Sequence, residues 1–430
     1  MKCNDYKPDR RNDIFDRLCI IWGDAKNDKH CDPSVQACWK SDIWRKANTL
    51  QALVQYWRTT DDKARRQKAL DMMWEAYQFY ADYIKNNDVW VDDFGWWAGF
   101  FRDFRSATQK LPPPLPKPFS KDGRDLVDLQ KETELCYTKM LVNFDDQKKG
   151  IEKFYTGHGG VWNHRPKDVN DGNCSDCERN TVTNAWMLNV ASDLYGWVGS
   201  GNPERNRYKE MAEAQYRWLT TGKYGSYSPE KWDLYTPYGL LWWLPGAPNT
   251  GRQCPDGTDA CMYWSGDEGV FLRGIASYVS TVDPANKDAI KKSCKRLILD
   301  AIAPTEKFSE RSAWKGFPDT QNVMHESPAS AWNNDLGTGK GVFMRLVTRV
   351  AREWKYFDDK DFERRFKAFV NATAQSAWCS GDKPTGTTAP NWNPKHGPSE
   401  ESAQPISGGL WPWVHQTNGL DALNAAWEIS

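Results

Sequence analysis

Apolar residues recur at intervals of three and four along most of this chain. From Ile43 they run through Ala47, Leu50, Leu53, Val54 and Trp57, the spacing of one buried stripe on an α-helix. Residues 64–86 repeat the pattern with Ala69, Met72, Met73, Ala76, Tyr77, Tyr80 and Ile84. The same period predicts helices near 93–106, 127–148, 180–198, 204–219, 267–281, 285–302, 340–354, 359–379 and 417–428. Ser41, Thr181 and Thr417 stand where N-caps are expected. No long run alternates polar with apolar, so a large sheet is excluded and only short strands in loops fit. The reading is an all-α protein of about eleven or twelve helices.

The connections are unequal. Residues 107–126, 155–179, 220–266, 304–339 and 380–416 are long and rich in Gly, Pro, Trp and Asn, and long loops in a compact domain usually carry function. The run Leu111-Pro112-Pro113-Pro114-Leu115-Pro116 reads as a rigid loop, because helical patterning continues on both sides of it. An array of paired helices can close into a ring, one set inside and one outside, with the loops at one end around a central cleft.

Composition narrows the function. In 430 residues, 57 Lys and Arg balance 57 Asp and Glu. That lacks the basic excess of a nucleic-acid binder or a polybasic membrane-surface protein. The longest apolar run, Phe94 to Phe101, falls short of the roughly 20 residues that span a bilayer. Trp, with 24 residues, outnumbers both Tyr and Phe at 17 each. A core needs few Trp, so about half are expected to line a groove, where flat rings stack on the C–H faces of sugars.

The 11 cysteines include one Cys-x-x-C, Cys174 to Cys177, and no second pair at ligand spacing, a weak zinc signal. No metal and no cofactor are expected. The polar loop around Asn170–Asn173 is unlike a redox motif. Loop disulfides in a secreted protein are the better reading, with Cys254–Cys261 and Cys174–Cys177 as pairs. The start, Met1 to Asp5, is polar and shows no leader in this chain. Asn173 and Asn371 begin glycosylation triplets, which are common by chance.

The sharpest local feature is Trp90-Val91-Asp92-Asp93-Phe94-Gly95-Trp96-Trp97. Two adjacent acids open a helix among aromatics. Taken alone, acids at a helix start are caps, since free N–H groups and the dipole favour carboxylates there. Glycosidic cleavage also needs two carboxyl groups, roughly 5–5.5 Å apart in retaining enzymes. A second acidic start, Trp264-Ser265-Gly266-Asp267-Glu268-Gly269, allows the same two readings, capping or contact with sugar hydroxyls. Gly159-Gly160-Val161-Trp162-Asn163, followed by Asn180 and Asn184, brings amides suited to hydroxyl-rich ligands. Trp411-Pro412-Trp413-Val414-His415-Gln416-Thr417 precedes the last helix. His415 and His325 are expected to be structural. Phosphate-loop, dinucleotide and Gly-x-Ser-x-Gly signatures are absent.

The order of these segments resembles glycoside hydrolase family 76, the α-1,6-mannanases and fungal cell-wall transglycosylases. Trp44 to Leu53 resembles the family's first barrel helix, Asp92-Asp93-Phe94-Gly95-Trp96-Trp97 its catalytic motif, and Gly159-Gly160-Val161-Trp162 with the helix at Asn180 its next landmark. Gly339 to Arg345 and the stretch from Gln416 resemble the late ones, so the likeness spans 40–428. It implies an (α/α)6 barrel over one domain, 1–430, whose core is 40–428 and whose extension 1–39 supplies an outer helix. It also implies retaining catalysis with Asp92 as nucleophile and Asp93 as general acid/base. Trp96, Trp97, Trp162, Asn163, Trp264, Asp267, Glu268 and Trp413 are the expected substrate contacts. The chain departs from the family where Gly266-Asp267-Glu268-Gly269 stands in place of Tyr-Asn-Gln-Gly, and in the long 220–266 segment.

The expected activity is hydrolysis of an α-mannan or related polysaccharide by a secreted monomer. A transglycosylase with the same residues, a sugar isomerase on this barrel using His, and a non-catalytic carbohydrate binder are the competing readings.

Overall fold

The computed structural model describes residues 6–27, 42–84, 89–109, 111, 114–144, 159–163, 179–223, 241, 264–305, 316–326, 338–380, 392 and 412–430. Among them lie twelve α-helices: α1 Arg11–Asn27, α2 Trp44–Thr59, α3 Lys63–Asp82, α4 Val91–Thr108, α5 Leu129–Leu141, α6 Thr181–Trp197, α7 Arg205–Thr221, α8 Ser265–Thr281, α9 Lys287–Ala301, α10 Gly339–Glu353, α11 Lys360–Cys379 and α12 Pro412–Ile429. A two-stranded antiparallel hairpin, Ser120–Lys121 with Arg124–Asp125, is the sheet structure among the described residues.

The even-numbered helices form a closed ring: α2 packs on α4, α4 on α6, α6 on α8, α8 on α10, α10 on α12, and α12 returns to α2. The odd-numbered helices lie outside it, α3 on α2, α5 on α4, α7 on α6, α9 on α8, and both α11 and α1 on α12. This is an (α/α)6 barrel, and α1 from the N-terminal extension is one of its outer helices.

Burial explains the two layers. An inner helix is enclosed on every side, so it is apolar or small all round. In α6, Thr181 through Leu194 are buried without interruption. An outer helix buries one stripe, as α9 does with Cys294, Ile298 and Ala301, at intervals of four and three.

The helix starts differ from the expected caps by physical detail. Asn180, not Thr181, caps α6 by accepting from the Thr183 amide at 3.1 Å. Thr417 lies inside α12, which begins at Pro412, a residue preorganised for the first helical position. Ser41 is outside the described residues. Helix α5 stops at Leu141, and Phe144 leaves it to bridge Val161.

Helices α4 and α6 approach through glycine. The Trp186 indole lies along the α4 backbone, so a Cβ on Gly95 would sit 2.5 Å from Trp186 Cβ, and one on Gly99 2.5 Å from Trp186 Cη2. Gly95→Ala is therefore expected to destabilise the protein by about 1–3 kcal/mol through overpacking, although Ala is the better helix former by about 1 kcal/mol. Thermal unfolding checks this, and an unchanged or raised midpoint would contradict the close approach.

The inner helices carry ion pairs away from their N-terminal ends, buried at Arg102–Asp103 and Arg345–Asp421 and partly exposed at Arg273–Glu353 and around Glu428. Arg102 donates to Asp103 at 2.7 Å and to Asn189 Oδ1 at 3.0 Å. Asp103 also accepts from Arg349, Arg273 pairs with Glu353, Arg345 pairs with Asp421, and Glu428 takes both Arg58 and Arg352. Arginines suit this end, where six inner helices direct their unsatisfied carbonyls.

Cys19, Cys136 and Cys294 are thiols outside any disulfide, whereas Cys379 is disulfide-bonded. The expected pairs Cys174–Cys177 and Cys254–Cys261 lie outside the described residues. Among the described helices none is long and apolar enough to cross a membrane.

Candidate active site

The opposite end of the barrel collects the N-termini of the inner helices, and the acids found in the sequence lie there. Val91 opens α4, and its amide donates to the Asn163 carbonyl at 2.9 Å. That leaves Asp92 and Asp93 in the first turn with no side-chain cap at Trp90. Asp92 is half-buried and Asp93 only 4% exposed.

Both carboxyls are pushed above the usual aspartate range, by different balances. For Asp93 the causes are burial, then the negative charges of Asp92 and Asp42, with Arg45 acting the other way. For Asp92 the cause is burial, partly offset by the helix-start amides of Asp93 and Asp92. Two acids this close cannot both ionise cheaply, and the one deeper among aromatics keeps the proton. Asp93, the deeper of the two and facing the charges of Asp92 and Asp42, has the surroundings that more strongly favour a neutral carboxyl.

Tryptophans cluster beside this helix start. Trp96, one turn below the acids, has its ring centroid 5.2 Å from Trp44, 5.0 Å from Trp186 and 6.2 Å from Trp264. Trp97 faces the other way, 4.7 Å from Tyr80 of α3, in the core between layers. Trp413 stacks edge-on against Trp22 of α1 at 5.5 Å. Trp97 and Trp413, both named as substrate contacts, are almost fully buried and pack on the outer helices α3 and α1, because successive residues on a helix point about 100° apart. Most described Trp residues are likewise buried, so the tryptophan content serves packing more than the expected groove.

The Gly159–Asn163 segment is a latch. Asn184 Oδ1 accepts from the Val161 amide at 2.7 Å and its Nδ2 donates back to the Val161 carbonyl at 3.1 Å. Asn163 Oδ1 accepts from Thr183 at 3.0 Å. Gly160 holds φ +83°, and a Cβ there would meet Trp218 at 2.7 Å, so glycine is required. Asn163 therefore spends its amide oxygen on α6. Trp162 sits beneath the Arg179 guanidinium, 4.7 Å from it.

Helix α8 corrects the capping reading of Asp267. The Ser265 amide donates to Glu326 Oε2 at 3.2 Å, and the Ser265 hydroxyl also bonds Glu326. Glu326, from a distant loop, is thus the carboxylate at this helix start. Asp267 and Glu268 are fully buried. Glu268 accepts from the Leu241 amide at 3.1 Å, and burial pushes its carboxyl up to about 8. Asp267 is pushed well above the usual range by burial and by the charges of Glu268, Glu326 and Asp92.

Several members of the site escaped the sequence reading. Asp42 pairs with Arg45 at 2.8 Å, and its carbonyl accepts from Lys46 at 2.7 Å. Burial lowers Lys46 to about 7. An Asp three residues before an Arg was the available signal for the first pair; nothing local announced Glu326. His325 bonds Asp319 at 3.1 Å. His415 is brought down to about 3 by burial, Lys340 and Arg45, so it is neutral at physiological pH. Among the described residues no group of three or more His, Cys, Asp or Glu is arranged to hold a metal ion.

An (α/α)6 barrel with paired aspartates at the mouth of its inner ring defines the class of structure. Among solved structures the chain is similar to an inactive variant of a glycoside hydrolase family 76 α-1,6-mannanase from Salegentibacter sp., two consecutive aspartates replaced by alanine, in complex with α-1,6-mannotetrose, at 15% identity and TM-score 0.62 over 98% of this chain and 99% of that one. It is similar to Dfg5 from Chaetomium thermophilum in complex with glucosamine, at 15% identity and TM-score 0.59 over 98% and 93%. A family 76 mannosidase from Bacteroides thetaiotaomicron matches at 13% identity and TM-score 0.54 over 97% and 98%. No protein-family model and no curated protein matches the sequence. At these identities the likeness defines the fold.

Proposed function

We propose that this chain belongs to glycoside hydrolase family 76 and is a retaining glycosidase that cleaves α-mannan, of the endo-α-1,6 type. The observation that carries the proposal is the adjacent pair Asp92 and Asp93 at the start of α4, whose surroundings separate their affinities for a proton. Asp93 gives its proton to the departing glycosidic oxygen while Asp92 attacks the anomeric carbon and forms a glycosyl ester. Asp93, now ionised, takes a proton from water as the water oxygen bonds to the anomeric carbon and the ester bond to Asp92 breaks, which releases the sugar and restores Asp92 as carboxylate and Asp93 as acid. The inactive mannanase variant with two consecutive aspartates replaced supports these roles. The disulfide at Cys379 supports a secreted protein. The chain acts as a monomer, in one catalytic domain over 1–430, and engages no nucleic acid.

A polysaccharide screen with product anomers followed by NMR tests the reading. First-formed reducing ends with the substrate's own anomeric configuration are expected from α-1,6-mannan. Inverted first products, or no turnover of any α-mannan, would overturn it. Adding a sugar acceptor to the same reactions separates hydrolysis from transfer.

A further inference from the structure

The first turn of α8 holds a carboxyl group that structural needs do not explain. Asp267 is fully buried, and neither of its carboxyl oxygens has a hydrogen-bond partner among the described residues. Its obvious duty, capping α8, is performed by Glu326 through the Ser265 amide and hydroxyl. A buried polar group left unpaired is costly, and more so if charged. Such a group persists when something binds it.

The surroundings say in which form it waits. The charges bearing on Asp267 are Glu268 from its own helix, Glu326 from the 316–326 segment and Asp92 from α4. Beyond these, Glu268 feels Asp300 at the end of α9, and its charge bears on the Cys294 thiol of α9. On the neighbouring ring helices, Asp193 of α6 and Arg349 and Glu353 of α10 belong to the far-end network with Arg102, Asp103 and Arg273. Lys340 at the start of α10 lies over Trp392 and bears on His415. No cation is among the groups whose charge bears on Asp267. In that position a neutral carboxyl costs least.

We infer that Asp267 is a substrate-holding residue which works as an un-ionised carboxylic acid, its O–H and C=O gripping a sugar hydroxyl beside Asp92. A neutral acid offers one donor and one acceptor, the pair that a side-chain amide offers. This inference rests on the glycosidase reading above and adds to it a residue that orients the sugar at the nucleophile.

Three proteins test it: wild type, Asp267→Asn and Asp267→Leu. Difference infrared spectra of wild type against Asp267→Asn at pH 7 should show a protonated carboxyl C=O band lost in the variant. Asp267→Asn should keep kcat/KM on α-1,6-mannan within a few fold. Asp267→Leu should lose about 10²-fold, the scale for removing one placed donor. It should also melt no lower than wild type, because an apolar side chain replaces a buried unpaired acid. A missing carboxyl band, a Leu variant as active as wild type, or an Asn variant as impaired as Leu would each overturn the inference. If wild type turns over no α-mannan, the glycosidase reading falls separately, and calorimetric binding of α-1,6-mannotriose to the same proteins decides. Loss confined to the Leu variant supports the inference, and equal affinity in all three overturns it.

Discussion

Asp93→Asn is expected to lower turnover of α-1,6-mannan by about 10²–10⁴-fold, the usual contribution of a placed general acid, while the fold is retained. Asn has nearly the same volume as Asp but has no proton to give. The loss should be small for the first step on substrates whose leaving group needs no protonation, and azide should restore release of the sugar as an azide of retained configuration. Asp92→Asn should be inactive on both kinds of substrate, because no ester forms. The pH profile separates the roles further. Burial and the Asp92 charge raise Asp93, so wild type loses activity on the alkaline side as Asp93 gives up its proton, and that limb should vanish in Asp93→Asn. An Asp93→Asn enzyme with full activity and an unchanged alkaline limb would remove Asp93 from the chemistry.

The second large effect lies at the other end of the barrel. Asp103→Asn is expected to destabilise the protein by about 3–5 kcal/mol, the range for breaking a buried ion pair from one side. Asp103 is 2% exposed, and its removal leaves the Arg102 and Arg349 guanidinium groups among apolar inner helices with less compensating charge. The pH sign follows from the pKa shift. Despite the burial that opposes ionisation, the charges of Arg102 and Arg349 hold the Asp103 carboxyl below its unfolded value. Its stabilisation is therefore present above about pH 4, the unfolded carboxylate range, and is lost as pH falls through the folded value. Chemical denaturation between pH 7 and 3 should show a shallower acid loss in Asp103→Asn than in wild type. Equal slopes, or a loss under about 1 kcal/mol at pH 7, would mean that the network contributes no more than a surface pair.

Much of this was legible before the fold was described, and the reasons are local. The spacing of Ile43 to Trp57 or of Ala69 to Ile84 reflects 3.6 residues per turn, which depends on nothing distant. The unequal loops indicated paired helices with a working end. Asp92 and Asp93 stood out because two acids among aromatics at a helix start are chemically unusual wherever they occur. Misreadings came where the deciding neighbour was remote in sequence. Trp96 and Trp97 look alike on the page, but one reaches Trp44 and Trp264 while the other reaches Tyr80. Asn163, expected to meet a sugar, also accepts from Thr183 of α6 through its amide oxygen, a partner 20 positions away. Thr181 lost the capping role to the residue before it by a shift of one position, within the usual uncertainty of helix ends.

By itself the amino-acid order determined an all-helical chain, its alternation of short and long connections, and the aspartate pair at one helix start, because these follow from periodicity and from the chemistry of neighbouring residues. The tertiary structure decided that the ring brings Asp42, Asp92, Asp93, Asp267 and Glu326 to one mouth, that Glu326 relieves Asp267 of capping, and that Asp93 is the more deeply buried of the aspartate pair. Those outcomes depend on burial and on charges brought together from residues more than 200 positions apart, as Asp42 and Asp267 are, and such terms come into existence only when the ring closes.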